Sequence, residues 1–355
     1  MIENLEILRG VTCDWVMAKG PMADIVISSR IRLARNLAGY PFFQTAGKSQ
    51  LLDIWQTVRQ SSETLPHFQN AYEYKIADLS HIEREFLLER HLISRELFST
   101  APGRGVLISR DQKFSIMINE EDHIRVQIVL SGFRLSSAWF ELNRLDDLFS
   151  ERMPYAFDNN LGYLTACPTN VGTGLRASLL LHLPGLALTK QIKKVFNSFN
   201  HLGLTVRGLY GEGSEMKGNL FQISNQVTLG RSEIGLIEDL ERTARHILKS
   251  ERQARRALLD KAHNQIEDKI WRAYGLLCHA RIISSDELIN LSSGLRLGVT
   301  LGIIQDLSIN ELNDLLLSTQ PAHLQSYFGR KINSSERNYL RAEFIRNWFT
   351  EKHRN

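Results

Sequence analysis

The run Cys167-Pro168-Thr169-Asn170-Val171-Gly172-Thr173-Gly174-Leu175-Arg176-Ala177-Ser178 is a turn rich in Pro, Thr and Gly that delivers one arginine. Backbone amides and hydroxyls beside a guanidinium suit a phosphate better than an apolar core. The chemistry this points to is phosphoryl transfer. The chain lacks the glycine-rich Walker pattern closed by Lys-Ser/Thr, and it lacks the His-Arg-Asp and Asp-Phe-Gly signatures of ordinary protein kinases. A nucleotide must therefore be held in another way.

Three further segments join Arg or Glu to small residues. In Ser28-Ser29-Arg30-Ile31-Arg32, the alternation of an extended chain puts Ser28, Arg30 and Arg32 on one face, a cationic ladder fit for a polyphosphate or, read alone, an edge-strand row of salt bridges. Asn119-Glu120-Glu121-Asp122-His123-Ile124-Arg125 crowds three acids beside an arginine, which requires a nearby cation, a metal or mutual pKa adjustment, or else marks a solvated acidic turn. Arg207-Gly208-Leu209-Tyr210-Gly211-Glu212 again joins an Arg to a Glu across a glycine turn.

The elements that must carry these segments follow from periodicity. Phe114 to Ile118 and Ile124 to Leu130 alternate as strands, Asn219 to Ile223 is strand-like, and Ile82 to Ile93 is helical. Gly208, Gly211, Gly213 and Gly218 predict a loop that either closes over a site as a lid or is, equally, a plain surface loop. From Ser232 to Ile282 there is no proline, and apolar residues recur at helical spacing from Ile234 to Leu248, so long helices are expected, with Ser284 to Glu287 as a capping box for the next. Seven of the eight prolines precede residue 185, so the two parts should differ in architecture. We expect an α+β domain over residues 1–254, an antiparallel sheet flanked by helices, and an all-helical domain over 255–355. The basic start of the latter, Arg252, Arg255, Arg256 and Lys261, reads as a solvated helix face rather than a surface that attracts an acidic partner.

Composition narrows the classes. Of 355 residues, 43% are hydrophobic and 23% charged, and the net charge of +4 demands neither a nucleic acid nor a membrane surface as partner. Three scattered cysteines, Cys13, Cys167 and Cys278, suggest neither a disulfide framework nor a metal site, which fits the cytoplasm. Neither a signal pattern nor a membrane span is visible.

Together the four segments resemble, in order and spacing, the guanidino (phosphagen) kinases, the family of creatine and arginine kinases, over roughly Ile25 to Glu233. The resemblance implies that Ser28, Ser29, Arg30, Ile31, Arg32, Arg125, the run Arg176, Ala177, Ser178, Leu179 and Leu180, and the run Arg207, Gly208, Leu209, Tyr210, Gly211 and Glu212 surround ATP, with Mg²⁺ riding on its phosphates. His91 matches the family's histidine near the nucleotide base. Glu121 and Glu212 match the carboxylates that orient a guanidinium and accept its proton. Cys167 matches a cysteine that tunes the substrate, and as a residue type it is equally a small packing group.

The helical substrate domain that small-molecule members carry ahead of Ser-x-Arg-x-Arg is missing here, and a C-terminal helical region takes its place. That arrangement is similar to the bacterial protein-arginine kinases. It implies a cytoplasmic homodimer acting on protein substrates that bear arginine, in a stress response that marks proteins for Clp-dependent degradation and inactivates the heat-shock repressor CtsR, with McsA as activator. The family's Arg-Asp-x-x-Arg-Ala motif, a phosphoarginine pocket, reads here Arg337-Asn338-Tyr339-Leu340-Arg341-Ala342. A neutral Asn338 bonds a guanidinium more weakly than a carboxylate does. A kinase of a small guanidino metabolite and a non-enzymatic phosphoarginine-binding adaptor are the two alternatives.

Overall fold

The computed structural model describes residues 5–199, 203–208, 217–352 and 354. After a short helix α1 (Glu6–Arg9) come β1 (Val26–Arg35), α2 (Lys48–Glu63), β2 (Tyr72–Lys75) and α3 (His81–Glu89). A meander of β3 (Gly105–Ile108), β4 (Phe114–Ile118) and β5 (Ile124–Ser131) leads into α4 (Leu135–Ser150) and the small pair β6 (Phe157–Asp158) and β7 (Gly162–Tyr163). Then follow β8 (Leu175–His182), α5 (Pro184–Leu188), α6 (Ile192–Asn197), β9 (Leu204–Gly208) and β10 (Leu220–Asn225). The chain ends in helices α7 (Glu233–His279), α8 (Ser285–Thr300), α9 (Ile309–Ser318), α10 (Pro321–Tyr327) and α11 (Ser334–Lys352).

Eight strands form one antiparallel sheet in the order β2-β3-β4-β5-β1-β8-β10-β9. Strand alternation divides its two faces. Ile31, Leu33, Val126, Ile128, Ala177, Leu179 and Ile223 point to one side, where Leu142 of α4 and Leu240, Ala244 and Ile247 of α7 complete a dry core. The opposite face carries Arg30, Arg32, Arg125, Arg176 and Arg207, while Arg35 stays on the core side, buried against Asp146 of α4 at 2.7 Å. The α+β class and the strands at 114–118 and 124–131 agree with the sequence pattern.

Two local expectations change. The helix expected to reach Ile93 stops at Glu89, because His91 adopts φ +60, a left-handed conformation that a right-handed helix cannot absorb. Helix α7 runs through residues 254 and 255 and leaves helical geometry only at Ala262 (φ −145, ψ 31). Arg252, Arg256 and Lys261 are exposed as expected, but Arg255 is buried: Nε bonds Glu251 at 2.7 Å and NH2 donates to the carbonyl of His182 at 3.2 Å.

The C-terminal helices have their own core around Ile270, Leu277, Leu295, Leu312 and Ile345, and they are tied to the sheet by polar contacts. Glu89 of α3 accepts the backbone N–H groups of Ala322 (2.8 Å) and His323 (3.1 Å) at the start of α10. Lys217 pairs with Asp286 of α8 at 2.7 Å, and the N–H of Gly218 donates to Asn290 Oδ1 at 2.9 Å. Gly218 sits at φ +61, where a Cβ would lie 2.4 Å from Ile289 Cγ2, so only glycine allows β10 to begin this close to α8. Among the described residues no helix is long and apolar enough to cross a membrane.

Candidate functional site

Register explains how arginines distant in sequence converge. Arg32 pairs with Arg176 across β1 and β8, Arg30 with Ser178, Ala34 with Arg125 across β1 and β5, and Arg207 with Gln222 across β9 and β10. Directly opposed residues of an antiparallel pair project to the same face, so Arg30, Arg32, Arg125, Arg176 and Arg207 share one surface spanning five strands. Ser28, Ser178 and Leu180 lie on it too. Ile31, Ala177 and Leu179 do not: their side chains are in the core. Ser29 also faces away, accepting the N–H of Arg134 at 2.8 Å and donating to the carbonyl of Gly132 at 2.7 Å.

This crowding has an electrostatic signature. Burial, reinforced by repulsion from Arg125 and Arg176, brings Arg30 down from the ordinary arginine value to about 10. Arg32 is driven well below the ordinary arginine value by burial and then by Arg30, Arg125 and Arg176. Its Nε has no hydrogen-bond partner. A half-buried set of mutually repelling guanidinium groups with an unused donor is complementary to a polyanion.

The acidic turn abuts the same face. Glu120, fully buried, bonds Ser94 and Arg125 through one carboxylate oxygen and accepts the N–H of Glu121 at 3.1 Å through the other. Sequence reasoning named Glu121 and missed Glu120 as the group that fixes Arg125. Glu121 Oε2 lies 3.3 Å from Arg125 NH2 while much of the side chain stays open. Burial raises its pKa above the usual carboxylate value, with Arg125 opposing and Glu120 adding. That suits a carboxylate which must accept a proton.

Asp122 and His123 build the turn. Asp122 Oδ1 accepts from Asn36 Nδ2 and from the N–H of Ala166, both at 2.7 Å, and so holds the loop of Cys167 against that of Glu121. His123 Nδ1 accepts the N–H of Leu37 (3.1 Å), which leaves Nε2 protonated and donating to the carbonyl of Pro41 (2.8 Å). Cys167 is partly open, with Sγ 3.1 Å from Thr169 Oγ1. Gly174 lets this loop reach β1: it lies at φ +62, and a Cβ there would stand 2.5 Å from the carbonyl oxygen of Ala34.

A cavity of about 620 Å³ extends from Ser28, Arg30, Arg32, Ser178 and Arg207 past Leu180 and His91 to α8 and α9. His91 stands beside Trp15, with ring centroids 5.3 Å apart. Burial and then Arg30 depress its pKa to about 4, so the ring is neutral at physiological pH. Leu209, Tyr210, Gly211 and Glu212 lie outside the described residues. No group of three or more His, Cys, Asp or Glu side chains able to hold a metal occurs among the described residues.

The C-terminal motif lies on α11, where Arg337 and Arg341 act electrostatically on Glu89 of α3. Arg341 is buried, donating to the carbonyls of Thr319 (3.1 Å) and Ile283 (2.9 Å) and to Asn338 Oδ1 (2.9 Å). Arg337 NH1 donates to the carbonyl of Ile332 at 3.0 Å. The structure therefore brings Asn338 and Arg341 together, with Arg341 committed to backbone carbonyls.

Comparison with known proteins agrees with this geometry. Residues 53–254 match the ATP:guanido phosphotransferase C-terminal catalytic domain, and residues 263–355 match the protein-arginine kinase McsB C-terminal domain. The protein-arginine kinase of Symbiobacterium thermophilum is 46% identical over 344 residues, covering 96% of this chain and 98% of that one. That of Brevibacillus brevis is 46% identical over 335 residues, 94% of each. Among solved structures, lombricine kinase aligns with TM-score 0.59 at 23% identity, covering 70% of this chain and 75% of that one. A duplicated taurocyamine kinase from Schistosoma mansoni aligns with TM-score 0.60 at 24% identity, covering 69% and 35%. These two likenesses concern the fold alone. Family match, full-length similarity and the arrangement of arginines on the sheet agree: the chain belongs to the protein-arginine kinases, within the ATP:guanido phosphotransferase family.

Proposed function

We propose that this chain transfers the γ-phosphoryl group of ATP to arginine side chains of proteins. The observation that carries the reading is the cluster of Arg30, Arg32, Arg125 and Arg176 beside Glu121, a destabilised cationic face next to a carboxylate held above its usual pKa. In the reaction a guanidinium nitrogen attacks the γ-phosphorus, the N–P bond forms as the bond to the ADP oxygen breaks, and the nitrogen's proton passes to a carboxylate. A guanidinium is a poor nucleophile with a pKa above ~12, so orientation matters most, contributing ~7–11 kcal/mol when two reactants are aligned. Glu121, braced by Arg125, orients the guanidinium and takes the proton; Glu212 is assigned the partner role from its sequence motif.

The arginines hold the phosphates and offset the charge that spreads over the transferring group. The unpartnered Nε of Arg32 fits that use. Mg²⁺, which commonly keeps water and binds through substrate phosphates, would neutralise further charge there. Ser28, Ser178 and Leu180 line the phosphate-side cavity and His91 its continuation. Residues 1–254 form the catalytic domain in this reading and 255–355 a helical domain for regulation and assembly around Arg337, Asn338 and Arg341. A cytoplasmic homodimer, activation by McsA, inactivation of CtsR and delivery of marked proteins to Clp belong to the same proposal.

The test is mass spectrometry, under conditions that spare acid-labile N–P bonds, of casein incubated with the chain and Mg-ATP. Phosphoarginine on casein that disappears with Glu212→Gln is expected. Phosphorylated free arginine without labelled casein would move the assignment to a metabolite kinase, and neither product would leave the adaptor reading.

A further inference from the structure

Unpartnered polar atoms are rare in folded interiors, and each calls for an explanation. Trp15 Nε1, Arg32 Nε, His182 Nδ1, Ser292 Oγ and Arg296 Nε are buried side-chain atoms without a partner, and all five residues line the one cavity of about 620 Å³. Arg32 belongs to the phosphate end. His182, Ser292 and Arg296 lie towards the far end and Trp15 beside the middle, packed with Leu220 and Ile289, each more than nine-tenths buried. Ser292 and Arg296 come from α8, outside the catalytic sheet.

Strand geometry sets the length of this cavity. Arg176, Ser178, Leu180 and His182 are alternate residues on one face of β8, and six residues of strand span about 20 Å. One end is cationic, and the middle is walled by Leu180, Leu220, Ile289 and Leu316. Beyond the arginines the cavity presents two groups that can only donate, the indole N–H of Trp15 beside this middle wall and the Nε–H of Arg296 at the far end, together with the Ser292 hydroxyl. The rest of the Arg296 guanidinium is fixed by Asn313 Oδ1 at 2.5 Å and the carbonyl of Ala23 at 2.7 Å, which pins α8 and α9 to the residues just before β1. Ser293 accepts from Asn219 Nδ2 at 2.9 Å and sits 2.8 Å from His182 Nε2. A ligand with negative charge at one end, a flat apolar body and ring acceptors at the other matches this order.

We propose that α8 forms the base-recognising wall of the nucleotide site: Ser292 and Arg296, with Trp15, bond the acceptor edge of the purine while the sheet arginines hold the phosphates. The proposal rests on the reading of the arginine face as the phosphate site. Its consequence is that the C-terminal helices are part of the substrate site, so nucleotide occupancy and the docking of α8 on the sheet support each other.

Calorimetry of the full chain with two ligands, ATP and inorganic tripolyphosphate, separates the two claims. Trp15→Phe and Ser292→Val are each expected to weaken ATP about tenfold, the effect of losing one buried hydrogen bond, and to leave tripolyphosphate affinity unchanged. Unchanged tripolyphosphate binding also shows that the variants have folded; if Ser292→Val loses it, Ser292→Ala is measured in its place. ATP affinity equal to wild type in both variants overturns the α8 wall. Tripolyphosphate affinity indifferent to Arg30→Met overturns the phosphate site instead, and a wild-type chain that binds no ATP overturns both.

Discussion

Replacing Arg30 by methionine should make the ligand-free protein more stable and nearly inactive. Arg30 stands on β1 among Arg32, Arg125 and Arg176; burial first, and repulsion from Arg125 and Arg176 after it, lower its pKa to about 10, so its charge is poorly tolerated without a ligand. At 1.36 kcal/mol per decade that is ~3 kcal/mol, and solvent reaching a side chain only half buried screens it to about 1–2 kcal/mol. Methionine keeps the length, fills the space and removes the charge, giving up one long hydrogen bond, 3.4 Å to Gln222 Oε1. Calorimetric melting without nucleotide should therefore rise by ~2–5 °C. Removing one preorganised donor from a developing phosphoryl charge should lower kcat by ~10²–10³. Added inorganic phosphate should stabilise the wild type more than the variant. A melting temperature unchanged or lowered would refute the repulsion argument, and retained kcat would refute the placement of the phosphates.

Three further outcomes follow from individual contacts. For Glu121→Gln, transfer to arginine should be lost while ATP still binds; in the wild type, where burial raises the carboxyl, the rate should fall as pH drops through a value above the ordinary Glu range, and a variant with undiminished turnover would remove Glu121 from proton transfer. Burial raises Glu89 to about 7, so the folded state keeps its proton where the unfolded chain has released it; stability should decline as pH rises from ~4.5 to 7 and then level, and melting curves of Glu89→Gln that keep this slope would exclude Glu89 as its source. Asn338→Asp would turn the 2.9 Å bond to Arg341 into a charge-assisted one, raising stability by ~1 kcal/mol and tightening phosphoarginine binding; equal affinity by calorimetry would count against a pocket at this motif.

What was legible in the sequence was local. Period-two alternation put Ser28, Arg30 and Arg32 on one face, and the crowding of Glu120, Glu121 and Asp122 demanded a cation, which is Arg125. The same alternation, applied to Arg176 through Leu180, would have separated Ala177 and Leu179, which face the core, from Ser178 and Leu180, which face the cavity. Arg255 escaped because a basic helix segment gives no sign of which turn meets a buried carboxylate; Glu251, four residues earlier on the same helix, was the available signal. The α8 wall was not legible at all. Ser292, Ser293 and Arg296 look like the polar side of an ordinary amphipathic helix until docking turns them toward His182 and Trp15.

The two ends of the cavity pose one physical problem in different forms. At the phosphate end the sheet holds like charges together, and Glu120 keeps this tolerable by locking Arg125 while leaving Arg30 and Arg32 in mutual repulsion. At the far end it holds buried donors without acceptors. Each arrangement lowers the stability of the ligand-free state, and each is relieved by a part of one ligand. A polyanion alone relieves the first and a base alone the second, so a nucleotide that joins them gains from both without a second loss of translational freedom. Binding should then stabilise the chain by more than the sum of tripolyphosphate and adenosine measured separately, and a sum equal to ATP itself would mean that the two ends are not spanned by one molecule.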